Sequence, residues 1–552
     1  MVAPVAMATE PNRLPTNRQE LRRRVASLLV VRGSGHWSDG QRRYPRWELP
    51  NGELRRLLQS GVGGVILLGG SAAELRLRTE ALQGWAQQPL LICADVEEGV
   101  GQRFEGASWL VPPLALGRLH GRDPQRAVEL AERYGRCSGR QARLLGLNWV
   151  LGPVCDVNNN PANPVINVRA WGEDPASAGA LAAAFVRGCQ AEGVLACAKH
   201  FPGHGDTSTD SHLELPLLPH SHERLEAVEL PPFRAAIAAG VAAVMTAHLQ
   251  LPALDAEHPA TLSAAVLTDL LRGDLGFAGL VVTDALVMEA ITARYGAAEA
   301  AVLAFEAGAD LILMPADADA AVDGLVAALE CGRIGADRLE ASLERRRQAL
   351  ARCSAVGAAA SPALEALEQL VLPEEQQLVR ELLELSLAIQ PATPGLPAGP
   401  GVNLIRLDNQ LNCPQLPAMA PALLRPAALG YGACLLDGRS PSPWSGDAQA
   451  PLDLARLPAG PVLLQLLVRG NPFRGSAGGD EPWPAAVRQL LAAGRLAGLA
   501  VYGSPYLWEQ LRPLIPAGIP AGYSPGQMPQ AQATLLEGLG LGPAALEGGF
   551  TD

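Results

Sequence analysis

The chain has 552 residues, of which 48% are hydrophobic and 18% charged, and its formal net charge is −12. This length predicts two domains, since one hydrophobic core rarely organises more than about 300 residues. The negative charge argues against a nucleic-acid partner, because binding phosphates requires a basic face. The nine cysteines include no C-x-x-C pair, and several lie in apolar runs. This usage predicts a reducing compartment and no disulfide framework.

The first residues carry neither the basic start nor the long apolar core of a signal peptide. The longest apolar runs are too short to cross a bilayer. The sequence therefore predicts a cytoplasmic protein with no membrane partner.

Short apolar runs alternate with helical stretches after a loose tail at residues 1–18. Helix starts are marked by a capping box at Ser71 and Glu74, and by Asp174 followed by Pro175. Eight runs are predicted to be strands: 27–31, 64–68, 90–94, 147–154, 194–198, 243–246, 279–283 and 310–314. Eight strand–helix units predict a (β/α)₈ barrel of the TIM type over residues 19–353.

An open, doubly wound sheet also alternates strands and helices, but the polar residues favour the barrel. A polar side chain lies at or just beyond the C-terminal end of most predicted strands: Arg32, Asp95, Asp156, Lys199, His248 and Asp284. A barrel gathers these side chains at one mouth, whereas an open sheet spreads them along an edge.

The regular alternation of apolar runs and helical stretches ends at about residue 353. Residues 354–400 are predicted to form a helical connector that contains a small-residue linker (355–362) and a Pro/Gly-rich linker (391–400). Residues 401–552 are predicted to form a smaller α/β sandwich. Its predicted strands are 402–407, 433–436, 462–468 and 499–502, and its helices 483–493 and 530–539. Since it has few convergent carboxylates, its predicted role is mainly structural or that of a lid.

The densest group of titratable residues lies between Lys199 and His212, in the sequence KHFPGHGDTSTDSH. It directly follows the predicted strand 194–198. Pro202 and Gly203 exclude a helix, so the sequence predicts an irregular loop at a strand end, where barrel enzymes keep their chemistry. A turn of mutually satisfied polar groups is the alternative interpretation.

Asp284 closes the predicted strand 279–283 and has two interpretations. It is either the N-cap of a following helix or a catalytic carboxylate at the barrel mouth. The histidine-rich loop, which is predicted to lie at the same mouth, favours the catalytic interpretation.

Together these segments resemble glycoside hydrolase family 3, and specifically its β-N-acetylhexosaminidase branch. The resemblance rests on KHFPGHG (199–205), Asp210-Ser211-His212 and Thr283-Asp284-Ala285-Leu286. Supporting matches lie at 63–67, 102–104, 169–175, 245–248 and 259–263. The resemblance covers roughly residues 25–350, and the C-terminal part is only weakly similar to the sandwich of two-domain members.

The resemblance implies a retaining glycosidase that needs no cofactor or metal. It makes Asp284 the nucleophile that forms a covalent glycosyl-enzyme, and His212 the acid/base, paired with Asp210. It also implies sugar-binding roles for Asp95, Lys199, His200 and Arg169, the last at the N-acetylated sugar. His248 and His204 are expected either to contact substrate or to support residues that do.

One position departs from the family. The family commonly has D-x-E-G-G after the third strand, whereas this chain has Glu98 in place of the first of those glycines. The expected substrate is a small β-N-acetylglucosaminide, such as a muropeptide fragment.

Four alternatives stay open at this point. Within the family they are a glycoside phosphorylase and a β-glucosidase. Outside it they are a non-catalytic sugar-binding protein and a metal-dependent hydrolase, for which the ligands would be His200, His204, Asp206, Asp210 and His212.

Overall fold

The structure is a computed structural model that describes residues 14–207, 215–354, 363–391, 395–407, 416–437, 440–448, 450–469 and 481–542. Most of the predicted N-terminal tail and all of the predicted linker 355–362 lie outside these residues. In the described part of the chain, no helix is both long and apolar enough to cross a membrane.

Eight parallel strands form a closed (β/α)₈ barrel, as predicted. The strands are β1 (Leu29–Ser34), β2 (Gly64–Leu68), β3 (Leu91–Ala94), β4 (Trp149–Val150), β5 (Cys197–Phe201), β6 (Ala243–Thr246), β7 (Leu280–Val282) and β8 (Ile312–Leu313). Five pair in the order β4-β3-β2-β1-β8, and three in the order β5-β6-β7. Isolated bridges complete the ring, with Trp149 opposite Leu195 and Val282 opposite Leu311.

The helices form the outer layer of the barrel. They are α1 (Arg18–Ala26), α2 (Asn51–Gln59), α3 (Ala72–Trp85), α4 (Leu114–His120), α5 (Pro124–Leu144), α6 (Pro175–Ala191), α7 (His222–Arg224), α8 (Pro231–Ala238), α9 (Glu289–Tyr295), α10 (Ala297–Ala307), α11 (Ala318–Glu330) and α12 (Ala336–Ser354). A π-helical segment, Ala265–Asp274, takes the helical position between β6 and β7.

The predicted helix starts are confirmed. Ser71 Oγ accepts a hydrogen bond from the Glu74 N–H at 3.2 Å, and Glu74 Oε2 accepts from the Ser71 N–H at 3.1 Å. Asp174 Oδ1 accepts from the Ser177 N–H at 2.9 Å, and Pro175 is the first residue of α6. Each cap satisfies a backbone donor that the first helical turn leaves without an intrahelical partner.

The fifth strand lies three residues later than the sequence predicts, over Cys197–Phe201 rather than 194–198. Lys199 and His200 therefore belong to the strand and not to the loop after it, which corrects the prediction. The hydropathy pattern misplaces the strand because these two side chains are buried with charged partners inside the barrel mouth. The fourth strand, Trp149–Val150, is shorter than the predicted run 147–154, and further along that run Val154 forms only an isolated bridge with Lys199.

The C-terminal part contains a six-stranded sheet. Its strands are β9 (Ala388–Gln390), β10 (Gly401–Leu407), β11 (Tyr431–Leu436), β12 (Val462–Val468), β13 (Leu496–Gly503) and β14 (Ala521–Ser524), in the order β11-β10-β12-β13-β14-β9 with β9 antiparallel. The remaining helices are α13 (Ala363–Glu368), α14 (Pro373–Ser386), α15 (Pro421–Ala428), α16 (Trp483–Ala492), α17 (Pro505–Leu511) and α18 (Pro529–Gly538). Two separate hydrophobic clusters pack on the sheet, which makes this part an α/β sandwich.

Candidate active site

Four charged side chains form a cluster at the C-terminal ends of β3 and β5. Lys199 Nζ lies 2.8 Å from Asp95 Oδ1 and 2.6 Å from Glu97 Oε1. Arg169 donates from Nε and Nη2 to the two carboxylate oxygens of Glu97, at 2.7 and 2.9 Å. The side chains of Lys199, Glu97 and Arg169 are at most 10% exposed, whereas that of Asp95 is 36% exposed. Asp95 is therefore the member of the cluster that a ligand reaches most easily.

The cluster is ionised at neutral pH. Burial would raise the pKa of Glu97, yet Arg169 and Lys199 hold it well below its ordinary value. Burial would likewise raise the pKa of Asp95, which Lys199 and Arg103 lower. Burial would lower the pKa of Lys199, but Asp95 and Glu97 hold it above its ordinary value. The site therefore presents fixed charged donors and acceptors, the groups that bind and orient a polar ligand strongly.

A second cluster is organised by Asp156, whose side chain is fully buried. Its Oδ2 lies 2.8 Å from His200 Nδ1, and its Oδ1 accepts from the backbone N–H groups of His200 and His204 at 3.2 and 2.7 Å. A carboxylate at Nδ1 favours the tautomer protonated there, in which Nε2 is an acceptor for a ligand hydroxyl. Asp156 therefore ties the segment after β4 to β5 and to the loop that follows β5.

His204 is a supporting residue in this arrangement. Its Nδ1 lies 2.7 Å from Thr207 Oγ1, and its ring is buried. Burial lowers the pKa of His204 to about 4, against the opposing charge of Asp156. The imidazole is therefore neutral at neutral pH.

A network of threonines and a histidine fixes Asp284 at the end of β7. The Asp284 N–H donates to Thr246 Oγ1 at 3.3 Å, and Asp284 Oδ1 accepts from the Ala285 N–H at 2.7 Å. Thr261 Oγ1 lies 2.8 Å from Thr246 Oγ1 and 2.9 Å from His248 Nδ1. His248 Nε2 lies 3.1 Å from the carbonyl oxygen of Ala285. The backbone on both sides of the Asp284 carboxylate is thus held in place.

The N-cap interpretation of Asp284 is wrong. Helix α9 begins at Glu289, and Met288 occupies its N-cap position. The Asp284 side chain is partly exposed. Asp284 is therefore a partly exposed carboxylate at a strand end that does not cap α9, and its catalytic role stays a prediction.

The two clusters and Asp284 face the same mouth. The ring centres of His200 and His204 are 6.1 Å apart, and the charge of Asp284 acts on His204. The charge of Asp95 acts on Arg32, which lies on β1. The predicted convergence of strand-end polar residues is therefore confirmed for these positions.

Two sequence-predicted site residues, Asp210 and His212, lie outside the described residues. Asp206, the described aspartate nearest to them in the chain, has Oδ2 3.0 Å from His220 Nε2 and 3.4 Å from Arg224 Nη2, so it braces a loop. In the part of the chain that the structure describes, no three His, Cys, Asp or Glu side chains converge as a metal site would require.

The structure also gives roles to two residues for which the sequence analysis proposed none. Glu97 joins Lys199 to Arg169, and Thr261 joins His248 to Thr246, whose hydroxyl accepts from the Asp284 N–H. The Nη1 atom of Arg169 donates to the carbonyl oxygen of Val165 at 2.9 Å, so all three guanidinium nitrogens have protein partners. Arg169 and His248 therefore hold other site residues, and a direct substrate contact by either stays a prediction.

The closed barrel, with carboxylates, a buried lysine and imidazoles at the C-terminal ends of its strands, defines a TIM-barrel enzyme that acts on a polar ligand. The chain belongs to glycosyl hydrolase family 3. The model of the glycosyl hydrolase family 3 N-terminal domain matches residues 20–348, and that of the bacterial family 3 C-terminal domain matches residues 398–540. The resemblance inferred from the sequence motifs is confirmed.

Similar proteins cover different parts of the chain. Beta-hexosaminidase A from Pseudoalteromonas piscicida is 36% identical over 325 residues, which are 53% of this chain and 54% of that protein. A beta-hexosaminidase from Stenotrophomonas maltophilia (strain K279a) is 39% identical over 271 residues, 48% of this chain and 80% of that protein. The structure of a glycoside hydrolase family 3 beta-N-acetylglucosaminidase from Paenibacillus sp. str. FPU-7 aligns with a TM-score of 0.74 and 31% identity, covering 94% of this chain and 97% of that chain.

Proposed function

We propose that the protein is a retaining exo-β-N-acetylglucosaminidase that cleaves terminal β-linked N-acetylhexosamine. The observation that carries the proposal is the partly exposed Asp284 carboxylate, whose flanking backbone is fixed by Thr246 and His248 at the mouth of the barrel. The family membership and the similar beta-hexosaminidases and beta-N-acetylglucosaminidase support the substrate class.

The proposed reaction has two steps, with Asp284 as nucleophile and His212 as acid/base. First, an Asp284 oxygen bonds to the anomeric carbon while the glycosidic bond breaks and His212 gives its proton to the leaving oxygen. Water then attacks the same carbon, His212 takes its proton, and the bond to Asp284 breaks. Asp210 favours the protonated imidazole of His212 by its negative charge. His204 is neutral at neutral pH because burial lowers its pKa to about 4, which favours His212 as the proton donor.

The sugar would be held by the charged cluster beside the nucleophile. Asp95 is exposed enough to accept from sugar hydroxyls, and Lys199, which is paired with Asp95 and Glu97, fixes its orientation. His200 offers Nε2 as an acceptor because Asp156 engages Nδ1. Charged hydrogen bonds of this kind hold the ring for in-line attack.

The test is to trap the covalent intermediate with a 5-fluoro N-acetylglucosaminyl fluoride, whose ring fluorine slows hydrolysis of the glycosyl-enzyme. Mass spectrometry of a proteolytic digest should place one glycosyl group on Asp284. Asp284→Asn should acquire no label, whereas Asp269→Asn, a change at an exposed position, should label like the wild type. A label on another residue would overturn the assignment of the nucleophile.

Phosphorolysis and glucoside cleavage are the competing functions within the family. A beta-glucoside phosphorylase aligns over 97% of this chain with a TM-score of 0.72, but at 21% identity it shows the fold alone. Aryl β-glycosides of N-acetylglucosamine, N-acetylgalactosamine, glucose and xylose, assayed with and without phosphate, separate the functions. The proposal expects the N-acetylglucosaminide to be cleaved fastest and phosphate to have no effect on the rate.

We also propose that the natural substrate is a muropeptide fragment and that the protein acts in the cytoplasm. The family membership supports the first statement, and the composition supports the second, since its cysteines suit a reducing compartment. Release of N-acetylglucosamine from a purified N-acetylglucosaminyl muropeptide tests the first. Fractionation of the source cells tests the second.

A further inference from the structure

Glu98, the residue that departs from the family's D-x-E-G-G pattern, is paired with the C-terminal domain. Its side chain is 2% exposed, and its Oε1 lies 2.6 Å from Arg469 Nη1. Its Oε2 accepts from the Trp109 indole N–H at 3.1 Å. Arg469 directly follows β12, the strand at the centre of the C-terminal sheet, and its side chain is 17% exposed. A residue of the second domain thus reaches a buried carboxylate in the barrel.

The loop that carries Glu98 also carries the centre of the sugar-site cluster. The backbone N–H groups of Glu97 and Glu98 both donate hydrogen bonds to Gln102 Oε1, at 3.4 and 3.2 Å. The carbonyl oxygen of Glu98 accepts from the Leu110 N–H at 2.8 Å. The adjoining Glu97 is the carboxylate that Lys199 and Arg169 share. A contact that fixes the position of Glu98 therefore also restrains Glu97, the next residue in the chain and the centre of the cluster.

A buried carboxylate is costly unless it is paired, and Arg469 supplies the pairing from outside the barrel. We infer that Arg469 is a positioning residue of the sugar-binding site. It neutralises Glu98, and through the rigid loop it fixes Glu97 and the two cations that Glu97 binds. Glycine at position 98 would remove both the charge and the need for the arginine, so Glu98 and Arg469 form a matched pair.

A positioning role for Arg469 can be distinguished from a role in merely joining the two domains. The domains also meet at Tyr506, whose hydroxyl lies 2.6 Å from Glu173 Oε1 and from Asn158 Nδ2. If Arg469 only joined the domains, its loss would lower stability without a specific effect on sugar affinity. A positioning role instead predicts a rise in KM that removal of Glu98 reverses.

The experiment compares Arg469→Ala, Glu98→Gly and the double variant in the full chain, with 4-nitrophenyl β-N-acetylglucosaminide as substrate. Arg469→Ala should raise KM about tenfold and change kcat by less than about threefold, because ground-state binding of the sugar is what the cluster supplies. The double variant should return KM to within about threefold of the wild type, since no unpaired buried carboxylate is left.

Arg406→Ala is the matched control. Arg406 Nη2 lies 2.7 Å from Glu481 Oε1 within the C-terminal domain, and its side chain is 18% exposed, nearly the same as that of Arg469. This variant loses a comparable ion pair without touching the barrel, so its KM should equal that of the wild type. An equal rise of KM in Arg406→Ala and Arg469→Ala would overturn the inference.

The KM measurements rest on the proposed function, because they require turnover of an N-acetylglucosaminide. The rate of amide hydrogen exchange in residues 95–102 tests the positioning role without substrate. Exchange there should speed up in Arg469→Ala and return to the wild-type rate in the double variant. If the wild type cleaves none of the aryl glycosides while exchange follows this pattern, the proposed function fails and the positioning role stands. Unchanged exchange, or a double variant no better than Arg469→Ala, would refute the positioning role.

Discussion

Replacing Glu97 by glutamine tests whether one buried carboxylate holds the sugar-site cluster together. The amide keeps the shape of the side chain but removes the charge that Lys199 and Arg169 share, at 2.6 and 2.7 Å. Breaking a buried ion pair by removing one partner costs about 3–5 kcal/mol. Asp95 still pairs with Lys199, so we take the lower end, about 3 kcal/mol, for Glu97→Gln. At roughly 2 °C per kcal/mol for a large domain, the melting temperature of the barrel should fall by about 6 °C.

The effect should depend on pH in a defined direction. The pKa of Glu97 in the folded protein lies well below its ordinary value because Arg169 and Lys199 outweigh the effect of burial. A carboxyl group with a lowered folded pKa contributes stability that is present above its unfolded pKa, about 4.3, and is lost as the pH falls through the folded pKa. The difference in melting temperature between wild type and Glu97→Gln should therefore be full at pH 7 and shrink below about pH 4.

Differential scanning calorimetry from pH 3 to 8 measures this difference, and Glu381→Gln is its control. Glu381 also contacts two arginines, Arg126 and Arg133, but its side chain is 19% exposed, and the contact joins α14 to α5. Water screens it more, so its loss should cost no more than about 1 kcal/mol. Melting of Glu97→Gln within about 1 °C of the wild type at pH 7 would refute the view that the cluster depends on Glu97.

Further expectations concern turnover. Asp284→Asn should lower kcat at least about 1,000-fold without unfolding the protein, and near-normal turnover would contradict its role as nucleophile. In His204→Gln, the shape of the kcat/KM–pH profile between pH 6 and 8 should match that of the wild type, because the pKa of His204 is about 4. A changed shape in that range would contradict the low pKa. Asp210→Asn should shift the basic limb to lower pH, since a paired carboxylate raises the pKa of His212, and an unmoved limb would place the acid/base elsewhere. Arg169→Ala should impair an N-acetylglucosaminide more than a glucoside, and equal losses would indicate that it positions a part common to both sugars.

Hydropathy periodicity and motifs predicted the two-domain fold and most of its strands. Two barrel strands, Gly64–Leu68 and Ala243–Thr246, have the predicted bounds because each is a continuous apolar run with both faces buried. The short strands β9 and β14 were not predicted. Ala388–Gln390 has three residues at a sheet edge, and Ala521–Ser524 contains a glycine and a serine, so neither has a strand-like pattern.

The candidate site was predictable only where a motif or a strand end marked it. Asp284 and Lys199 follow or end apolar runs, so their place at the mouth could be inferred. Glu97 matches the glutamate of the D-x-E-G-G pattern, but its role could not be inferred, because its partners Arg169 and Lys199 lie 72 and 102 residues further along the chain. The pairing of Glu98 with Arg469 crosses between domains, which no local pattern encodes.

The closure of the barrel has a mechanical consequence. Its ring consists of two arcs, β8-β1-β2-β3-β4 and β5-β6-β7, whose seams have only isolated bridges. The candidate site straddles one seam: Asp95 and Asp156 come from the larger arc, and His200 and Asp284 from the smaller. Side-chain contacts between the arcs, such as the hydrogen bond of Asp156 with His200 and the ion pair of Asp95 with Lys199, do part of the work that strand hydrogen bonds do elsewhere. A sugar bound by both Asp95 and Asp284 would link the two arcs. Binding of the sugar would then make the barrel more rigid.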